Sequence, residues 1–512
     1  MLDDLDRGGS HTCEADVLVI GGGTVGLVIG ARLAERGRRV IVVESGGLEQ
    51  PGETHELNEV VQARRVYSGA MSGRFRCLGG TSTRWGGALI PFAPADFRAD
   101  EWPLDPADVL KYVPAVEKLF GLTRGPYETE DIFPGTQHNF RARLAKWPTF
   151  PRRNVATLLA DRLRALPTLQ VWLNATATEF DVAAGKLRNV KARSRKGGQL
   201  EIRAREVVIA AGAIETTRLL LLMDQQNSYQ LFRPDGQLGR FFSDHLSVAA
   251  AEVIPSNRDA LNMLVGFRFE RNGAMRNIRF ELSQHTPLRD SIPPVFAHIA
   301  FIDVESGGFN ALRDLLRQVQ RRRLPDGQLI GRLVASTPWL LRAAWWRFVQ
   351  QRLLYPSGAR LQLHLVIEQL PRYDNQVRLS EEKKDAFGQP LAELVWDIAA
   401  EDIENVHKAV SAFTDAWPSS TMAPIAALER YPADQYDREL AEGGGIFHPV
   451  GSARIATSSD RGVVDADLRP FRVRNVSVVS TAVLPRSGGS NPTMMLLCLG
   501  LRCVDLLDRQ LS

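Results

Sequence analysis

Cysteine is scarce in this chain of 512 residues, and the four cysteines it has are scattered. They form no Cys-x-x-Cys pair, and no group of histidine, cysteine and acidic residues has the spacing of a metal site. We therefore expect no disulfide framework and no metal centre, and free thiols favour a reducing compartment.

Long apolar runs and strong net charge are also lacking. No stretch of about 20 apolar residues could span a bilayer, and the polar start MLDDLDRGGSHTCEAD has neither the basic nor the apolar segment of a signal peptide. The formal net charge of +4 is small for this length and gives no reason to expect a nucleic-acid partner. These absences predict a soluble, cytoplasmic protein. The length predicts two domains, because single cores rarely grow beyond about 250 to 300 residues.

Residues 15–47 carry the strongest local pattern. An apolar run is followed by Gly21-x-Gly23-x-x-Gly26, a helical segment and a second apolar run that ends at Glu44. In a strand–turn–helix unit these glycines allow a tight turn, a close approach of pyrophosphate and close helix packing, while the acid can bind a ribose. The pattern predicts a dinucleotide site, and Glu44 disfavours the 2′-phosphate of NADP, which leaves NAD or FAD. A glycine-rich loop without a ligand is the alternative.

Farther along the chain, two segments extend this pattern. Residues 69–87, GAMSGRFRCLGGTSTRWGG, form a second glycine-rich loop with neither helical nor strand periodicity. From residue 171, alternating segments (VWLNATATEF, KLRNVKARS, LEIRA) predict a β-meander that leads into the apolar strand of EVVIAAGAIETTRLLLL. A Rossmann unit that is interrupted by a meander and then resumed is typical of flavoproteins. Alternating runs between residues 247 and 424 predict an antiparallel sheet backed by helices, as in a substrate domain.

Several motifs, taken in chain order, resemble the glucose-methanol-choline (GMC) oxidoreductase family of flavoproteins. They are the first glycine motif with Glu44, GGTSTRWGG at 79–87, AAGAIETTRLL at 210–220, HPVG at 448–451 followed by GVVDADLR, and SNPT at 490–493. The histidine–asparagine version of the tail resembles the pyranose-oxidase-like and cholesterol-oxidase-like branches. We therefore predict an α/β fold, α+β overall, with a Rossmann-type FAD-binding domain that contains an inserted meander and a substrate domain of antiparallel sheet backed by helices. The predicted limits are 14–100, 150–246 and 425–512 for the first domain, and 101–149 and 247–424 for the second.

The resemblance implies FAD as the cofactor. It implies that the pyrophosphate lies on the first glycine turn, the ribose at Glu44, the isoalloxazine ring along the 79–87 loop and the adenine near Ala177. The implied cofactor-binding residues are Gly21, Gly23, Thr24, Val25, Gly26, Glu44, Ser45, Gly80, Thr81, Ser82, Arg84, Trp85, Gly86, Gly87, Ala177, Ala211, Gly212, Pro492 and Thr493. Family branches with covalently attached FAD carry histidine where this chain has Arg84, so the resemblance implies non-covalent FAD.

His448 and Asn491 are the predicted catalytic pair. The resemblance aligns His448 with the active-site histidine of the family and Asn491 with its partner. Chemistry agrees, because oxidation of an alcohol requires a base for the hydroxyl proton, and histidine with a pKa of about 6.5 suits neutral pH. The alternatives are a loop histidine satisfied by the protein and, for Asn491, an N-cap ahead of Pro492.

The predicted reaction is oxidation of a CH–OH group in a polar, sugar-like or aminocyclitol-like alcohol, with oxygen or another compound as electron acceptor. Glu368 and Gln369 at a predicted strand end are predicted substrate contacts, with an ion pair as the alternative. Asp244-His245 is interpreted as a structural turn and His364 as a packed or surface residue. A sterol or other apolar alcohol, a non-redox lyase on the same fold and a nicotinamide-dependent reductase stay open as alternatives.

Residues 311–355 are rich in arginine and tryptophan. Nine arginines stand against Asp314 and Asp326, a local excess of +7. The pattern predicts two helices, with Leu312, Leu315, Leu316 and Val319 on one face of the first. In the second, Thr337 and Pro338 form the start, and Leu341, Trp345, Phe348 and Val349 share a face. Surface helices packed on the substrate domain, a lid, or a surface for a partner or an anionic membrane are the open interpretations, with membrane association the least favoured.

Overall fold

The computed structural model of the chain contains two large β-sheets and one small sheet. It describes residues 1–50, 52–135, 138–302, 307–320, 324–356 and 358–512, and at 316, 317, 319 and 320 it describes the backbone alone. The strands are β1 Leu2–Asp4, β2 Ser10–Ile20, β3 Val40–Val43, β4 Val60–Gln62, β5 Glu128–Thr129, β6 Phe140–Trp147, β7 Leu169–Leu173, β8 Thr176–Ala183, β9 Lys186–Arg193, β10 Gln199–Ile209, β11 His245–Pro255, β12 Arg268–Phe269, β13 Met275–Leu282, β14 Val295–Ile302, β15 Arg360–Glu368, β16 Gln376–Lys384, β17 Pro390–Val395, β18 Ala426–Arg430 and β19 Val476–Val478. The α-helices are α1 Thr24–Glu35, α2 Pro106–Leu110, α3 Val113–Phe120, α4 Val155–Leu158, α5 Ala160–Ala165, α6 Ala213–Gln226, α7 Arg258–Val265, α8 Gly308–Gln320, α9 Gly327–Ala335, α10 Thr337–Trp345, α11 Ala400–Ala416, α12 Ala433–Glu442 and α13 Thr493–Leu511.

The first sheet, which we call the nucleotide-side sheet, has the strand order β1-β7-β3-β2-β10-β9-β8, with β19 beside β10. Its centre is parallel, and Val17 lies opposite Val40 on one side and Glu206 on the other. The beginning of β10 pairs with β9 of the meander and its end pairs with β19, so the meander branches from a strand of the parallel core. This arrangement confirms the predicted Rossmann unit with an inserted meander.

One predicted strand is divided in two. The segment VWLNATATEF forms β7, which joins the parallel core, and β8, which belongs to the meander. Between them Asn174 has a φ of 52°, a left-handed conformation that asparagine adopts more readily than most residues. The alternation pattern did not indicate this turn.

The second sheet, the substrate-side sheet, is antiparallel with the order β18-β11-β15-β14-β13-β6-β5. A separate core lies beneath it, in which Phe413 of α11 packs edge-on against Phe140 with ring centroids 4.9 Å apart. The predicted antiparallel sheet backed by a helix is therefore confirmed. A third sheet, β16-β17-β4, connects residues 60–62 to the hairpin at 376–395.

The predicted domain limits stay a proposal. Within 101–149, strand β6 belongs to the substrate-side sheet, whereas α2 and α3 contact α13 and contribute to the core of the nucleotide-side sheet. Helix α13 in turn packs on α1, where a Cβ on Gly500 would lie 2.4 Å from Cγ2 of Val25. This close packing fixes α13 relative to the first glycine turn.

The arginine-rich segment forms three helices, α8, α9 and α10, and not the predicted two. Helix α10 continues into a π-helical turn at Trp346–Gln350. Thr337 is not a cap, because its hydroxyl donates to the carbonyl of Val334. The predicted face of the last helix points outward: Leu341 is 69% exposed and Phe348 is 76% exposed. The side chains of Leu316, Arg317 and Val319, and Arg321, Arg322 and Arg323, lie outside the described residues.

In the residues that the structure describes, no helix combines the length and the apolar character needed to cross a bilayer.

Candidate active site

The turn between β2 and α1 is closed at two glycines and open at the third. A Cβ on Gly21 would lie 2.6 Å from the carbonyl oxygen of Ala210, and a Cβ on Gly26 would lie 2.0 Å from that of Gly21. Gly23, in contrast, has no atom within 4 Å of an added Cβ. The turn therefore has room beside Gly23, at the N-terminus of α1, where backbone N–H groups favour an anionic group such as a pyrophosphate.

Glu44 joins the end of β3 to this turn. Its carboxylate accepts hydrogen bonds from the backbone N–H of Gly22 at 2.8 Å and of Gly46 at 2.9 Å. Burial raises the pKa of Glu44 against the opposing effect of these hydrogen bonds and of Arg76. The adjacent Ser45 hydroxyl accepts from Arg76 at 2.9 Å. The acid thus lies where the sequence places it, beside the glycine turn.

The second glycine loop lies directly against the first turn. The N–H of Gly79 donates to the carbonyl of Gly22 at 2.8 Å, and a Cβ on Gly80 would lie 2.8 Å from the Cα of Gly23. Ser82 accepts from the N–H of Val155 at 3.0 Å, which ties the loop to α4. Two glycine loops that are distant in sequence therefore lie side by side.

The other predicted cofactor residues lie in different surroundings. The guanidinium of Arg84 donates to the carbonyl of Gln50 at 3.3 Å, and the indole of Trp85 donates to the carbonyl of Arg153 at 2.9 Å. Ala177 is buried in β8, and Ala211 and Gly212 precede α6, with open space beside Gly212. The remaining members of the predicted set follow these elements: Thr24 and Val25 begin α1, Thr81 lies in the 3₁₀ turn at Gly80–Thr83, Gly86 and Gly87 follow Trp85, and Pro492 and Thr493 begin α13.

His448 and Asn491, both half-buried, meet in one cluster. The Nδ2 of Asn491 lies 3.0 Å from the Nε2 of His448, and the Oδ1 of Asn491 accepts a hydrogen bond from Arg279 on β13. A guanidinium only donates, so the amide oxygen must face Arg279 and the amide nitrogen must donate to His448. Nε2 of His448 is therefore the unprotonated nitrogen, with its lone pair directed at Asn491. The predicted N-cap role of Asn491 is wrong, because α13 has no side-chain cap bond and the amide is used inside the cluster.

Asp244 and His245 belong to the same cluster and are not a remote turn. The Oδ1 of Asp244 accepts from the backbone N–H of His448 at 2.8 Å, and its Oδ2 accepts from the hydroxyl of Tyr67 at 2.7 Å. The imidazole of His245 lies 5.4 Å from that of His448 between centroids, and its Nε2 donates to the carbonyl of Gly488 at 2.8 Å. These contacts orient the loop that carries His448.

Ligand-atom distances also group Asp244, His245 and His448. One atom of each lies within 4.8 Å of the others, close enough for a metal ion. The hydroxyl of Tyr67 and the backbone N–H of His448 already donate to the carboxylate of Asp244, and the Nε2 of His245 already donates to Gly488.

Burial sets the protonation of the cluster. It lowers the pKa of His448 well below its usual value, and His245 and Arg279 lower it further. Burial also lowers the pKa of His245 to about 4 and raises that of Asp244 to about 6. His448 is therefore neutral at neutral pH, which is the state in which an imidazole can accept a proton.

Glu368 and Gln369 are buried, and their polar atoms bind protein groups. Glu368 accepts from the Nε of Arg486 at 2.6 Å and from the N–H of Gly488 at 2.6 Å. Gln369 accepts from the indole of Trp396 at 2.9 Å and donates to the carbonyl of Asp397 at 2.8 Å. For Glu368 the structure thus contains an ion pair, the alternative stated from the sequence. The pair with Arg486 and the bond from Gly488 fix the loop that precedes Asn491.

Sequence reasoning missed Arg279 and His298. Arg279 lies between Ile278 and Phe280 in a buried strand, and a charged residue at such a position was the available signal. His298 on β14 lies opposite His364 on β15, and the two rings stack with centroids 5.7 Å apart. His364 is thus a partly buried, packed residue, as the strand pattern predicted.

The residues at the glycine turns and around His448 fit an FAD. Besides the open space at Gly23, the buried hydroxyls of Ser487 and Ser490 and the Nδ1 of His448 have no hydrogen-bond partner among the described residues. Buried polar groups in proteins are nearly always paired, so these groups are free to bind a polar ligand.

Comparisons with known proteins agree with this geometry. The family model described as GMC oxidoreductase matches residues 371–500, and an FAD-binding-domain model matches residues 16–55. The 2-methyl-1,2-propanediol dehydrogenase of Mycolicibacterium austroafricanum is 22% identical over 98% of this chain and 96% of its own length. The 6′′′-hydroxyparomomycin C oxidase of Streptomyces lividus is also 22% identical, over 95% of this chain and 90% of its own length. Among solved structures, formate oxidase from Aspergillus oryzae superposes with a TM-score of 0.61 at 17% identity, covering 98% of this chain and 99% of that chain.

Together with the Rossmann unit, these matches define an FAD-dependent oxidoreductase acting on CH–OH donors. Within that class, the chain is similar to GMC oxidoreductases, whose family model matches residues 371–500.

Proposed function

We propose that this protein oxidises a CH–OH group of a polar, sugar-like or aminocyclitol-like alcohol to a carbonyl, with His448 as the base. The observation that carries the proposal is the neutral imidazole of His448, whose Nε2 lone pair is held 3.0 Å from the amide of Asn491. The polar character of the surrounding cluster, and the aminoglycoside named in the Streptomyces lividus relative, support a polar substrate.

FAD, when bound, supplies the acceptor for the hydride that leaves the carbinol carbon. His448 takes the hydroxyl proton, so the substrate loses one hydride and one proton in total and becomes a carbonyl compound. A positioned base typically contributes about 10² to 10⁴ in rate. Asn491 donates to the same nitrogen at 3.0 Å, so the alcohol hydroxyl would take the place of this amide N–H when it approaches the lone pair of His448.

The groups that would hold FAD are the predicted cofactor residues around the two glycine loops. Helix α1 would bind the pyrophosphate at Gly23, and Glu44, already in contact with two backbone N–H groups, would accept hydrogen bonds from the ribose. Because Arg84 stands where covalent branches have histidine, the flavin is proposed to be non-covalent. After acid precipitation the yellow colour should stay in the supernatant, and colour in the pellet would contradict this.

The test of the reaction is anaerobic mixing of the yellow protein with sugars, sugar acids, aminoglycosides, sterols and simple diols. We expect a polar alcohol to bleach the flavin. Bleaching by sterols alone would favour the apolar-alcohol alternative, and no bleaching by any alcohol would favour a lyase.

A further inference from the structure

Arg279 is a buried cation on the substrate-side sheet. It is 7% exposed, and none of the described carboxylates lies within ion-pair distance of it. Glu281, two residues along the same strand, is bound to Arg143 at 2.5 Å. Burial lowers the pKa of Arg279 to about 10 against the opposing effect of Glu281, so the guanidinium stays charged at neutral pH. Burying a charge is costly, and no direct carboxylate contact among the described residues offsets that cost here, so a carboxylate of a ligand would be a favourable partner.

The guanidinium is directed at the catalytic pair. Its Nη1 donates to the Oδ1 of Asn491, and its carbon lies 4.5 Å from the centroid of the Phe296 ring. Its Nε is buried and has no partner in the described structure. One side chain, Asn491, thus separates the cation from the base His448. The Nε edge of a guanidinium is one that binds a carboxylate through two parallel hydrogen bonds.

We propose that Arg279 binds a carboxylate of the substrate, so that the alcohol oxidised is a hydroxy acid, of which sugar acids are the sugar-like members. The inference rests on the proposed function and narrows it. Aminocyclitols become the disfavoured half of that proposal, because their ammonium groups would meet an uncompensated cation.

The test compares substrates that differ in charge alone. Glucuronate and lactate are mixed anaerobically with the yellow protein beside glucuronamide and lactamide. We expect the acids to reduce the flavin with a kcat/KM at least about tenfold higher, since a buried polar site left unpaired rejects the neutral analogue. In Arg279→Met this preference should vanish while the flavin stays bound. Arg276→Met, on the same strand but paired with Glu270 at 2.7 Å, is the matched control and should keep the preference.

A second measurement does not depend on turnover. Acetate is titrated into the oxidised protein while the flavin absorbance is recorded. A saturable change of the flavin absorbance in the wild type and in Arg276→Met, but not in Arg279→Met, supports the carboxylate site. It would do so even if no alcohol is oxidised, a result that would contradict the proposed function but not the carboxylate site. Equal reduction by acids and amides, faster reduction by aminocyclitols, or an acetate response that survives in Arg279→Met would overturn the inference.

A separate observation concerns the outer face of the arginine-rich segment. Seven of the 17 exposed large apolar side chains in the described structure lie within 26 residues, and we call them the outer apolar surface: Leu324, Ile330, Val334, Leu341, Trp345, Phe348 and Val349. Large exposed apolar patches on proteins mark interaction sites, so this concentration of exposed apolar side chains in one segment points to a partner surface.

The helices that bear this surface are fixed to the protein on their other side. Trp346 is buried, Arg342 pairs with Asp259 of α7 at 2.6 Å, and the guanidinium of Arg347 lies 3.7 Å from the ring centroid of Phe269. The outward direction of the apolar side chains is therefore set by these anchoring contacts.

Charge indicates what covers the outer apolar surface. Residues 311–355 carry a formal charge of +7 while the whole chain carries +4, so the remainder carries −3. Two copies meeting through this surface would bring like charges together. Basic segments with tryptophan, phenylalanine and leucine on one face are typical of helices that lie on anionic membranes. We infer that this surface docks on an anionic lipid bilayer.

Vesicle flotation tests this inference. We expect the FAD-loaded protein to float with phosphatidylcholine vesicles that contain phosphatidylglycerol and not with pure phosphatidylcholine. The double variant Leu341→Asp, Phe348→Asp should lose flotation, whereas Phe150→Asp, at an exposed apolar residue elsewhere, should retain it. Flotation that is absent, or equal for all variants, would overturn the inference. So would light scattering that shows a dimer broken by the double variant, because the surface would then bind a second copy.

Discussion

The nucleotide side and the substrate side of the candidate site are built in different ways. On the nucleotide side, Gly21, Gly26 and Glu44 lie within one strand–helix–strand unit and contact the same turn. On the substrate side, Asn491 contacts His448 across 43 residues of chain and Arg279 across 212. The first arrangement is local and is readable as a motif, whereas the second exists only after two sheets and α13 have come together.

The largest effect is expected where the local motif is sterically closed. Gly26→Ala places a Cβ 2.0 Å from the carbonyl oxygen of Gly21, so the helix must move away from the turn. We expect loss of bound FAD and a large drop in Tm. Gly23→Ala is the matched control, because no protein atom lies within 4 Å of its Cβ. It should fold and bind FAD more weakly. Absorbance ratios and thermal unfolding measure both, and a Gly26→Ala protein that holds FAD as well as Gly23→Ala would contradict the argument.

On the assembled side, His448→Ala should slow anaerobic flavin reduction by about 10² or more, since it removes the proton acceptor. The flavin spectrum should persist. Asn491→Ala should slow reduction less, because the base remains. In the wild type the depressed pKa of His448 predicts a rate that is level through neutral pH and falls only in acid, as the imidazole becomes protonated. A reduction rate in His448→Ala equal to the wild type would exclude the base assignment.

His245 predicts a pH dependence of stability. Its pKa is about 4 in the folded state and about 6.5 when unfolded, so the unfolded chain binds the proton first as pH falls below 6.5. Linkage then makes the folded state about 2 kcal/mol less stable at pH 5 than at pH 7 on account of this residue. Asp244, with its pKa raised to about 6, acts in the opposite direction between about pH 4 and 6.

His245→Gln should therefore reduce the stability lost between pH 7 and pH 5 by about 2 kcal/mol relative to the wild type. Urea unfolding of both proteins at the two pH values measures this difference. Asp244 is present in both proteins, so its contribution cancels in the comparison. An unchanged difference would mean that His245 is not buried in its neutral form.

The smallest effect concerns a cap beneath the second glycine loop. The side chain of Asn154 accepts from the N–H of Ala156 at 2.9 Å, and Asn154→Ala should cost about 1 kcal/mol of unfolding free energy. Asp105→Ala removes a similar cap on α2, at 2.8 Å, away from the glycine loops. Both should lower stability, and only Asn154→Ala should also weaken FAD binding, since a Cβ on Gly79 would lie 2.7 Å from its Oδ1. Equal FAD affinity in the two variants would show that the loop does not depend on this cap.

Features set by neighbouring residues were predicted from the sequence, whereas contacts between distant residues were not. The strand at 17–20 and the antiparallel sheet were predicted, because each follows from a periodicity within a few positions. The cap roles of Asn491 and Thr337 were predicted wrongly, because a side chain that suits a cap can instead bind a distant group. For Asn491 that group is Arg279, which no local rule connects to it.

The sequence by itself predicted the resemblance to GMC oxidoreductases, the cofactor class and the base candidate. It could do so because the glycine turns, the acid that follows them and the histidine motif are patterns of residues close together in the chain. Only the tertiary structure decided the protonation of His448, the inclusion of Asp244, His245 and Arg279 in one cluster, and the outward face of Leu341 and Phe348. These properties depend on burial and on distances between elements hundreds of residues apart, and the desolvation that sets a pKa arises only when the sheets close over the side chain.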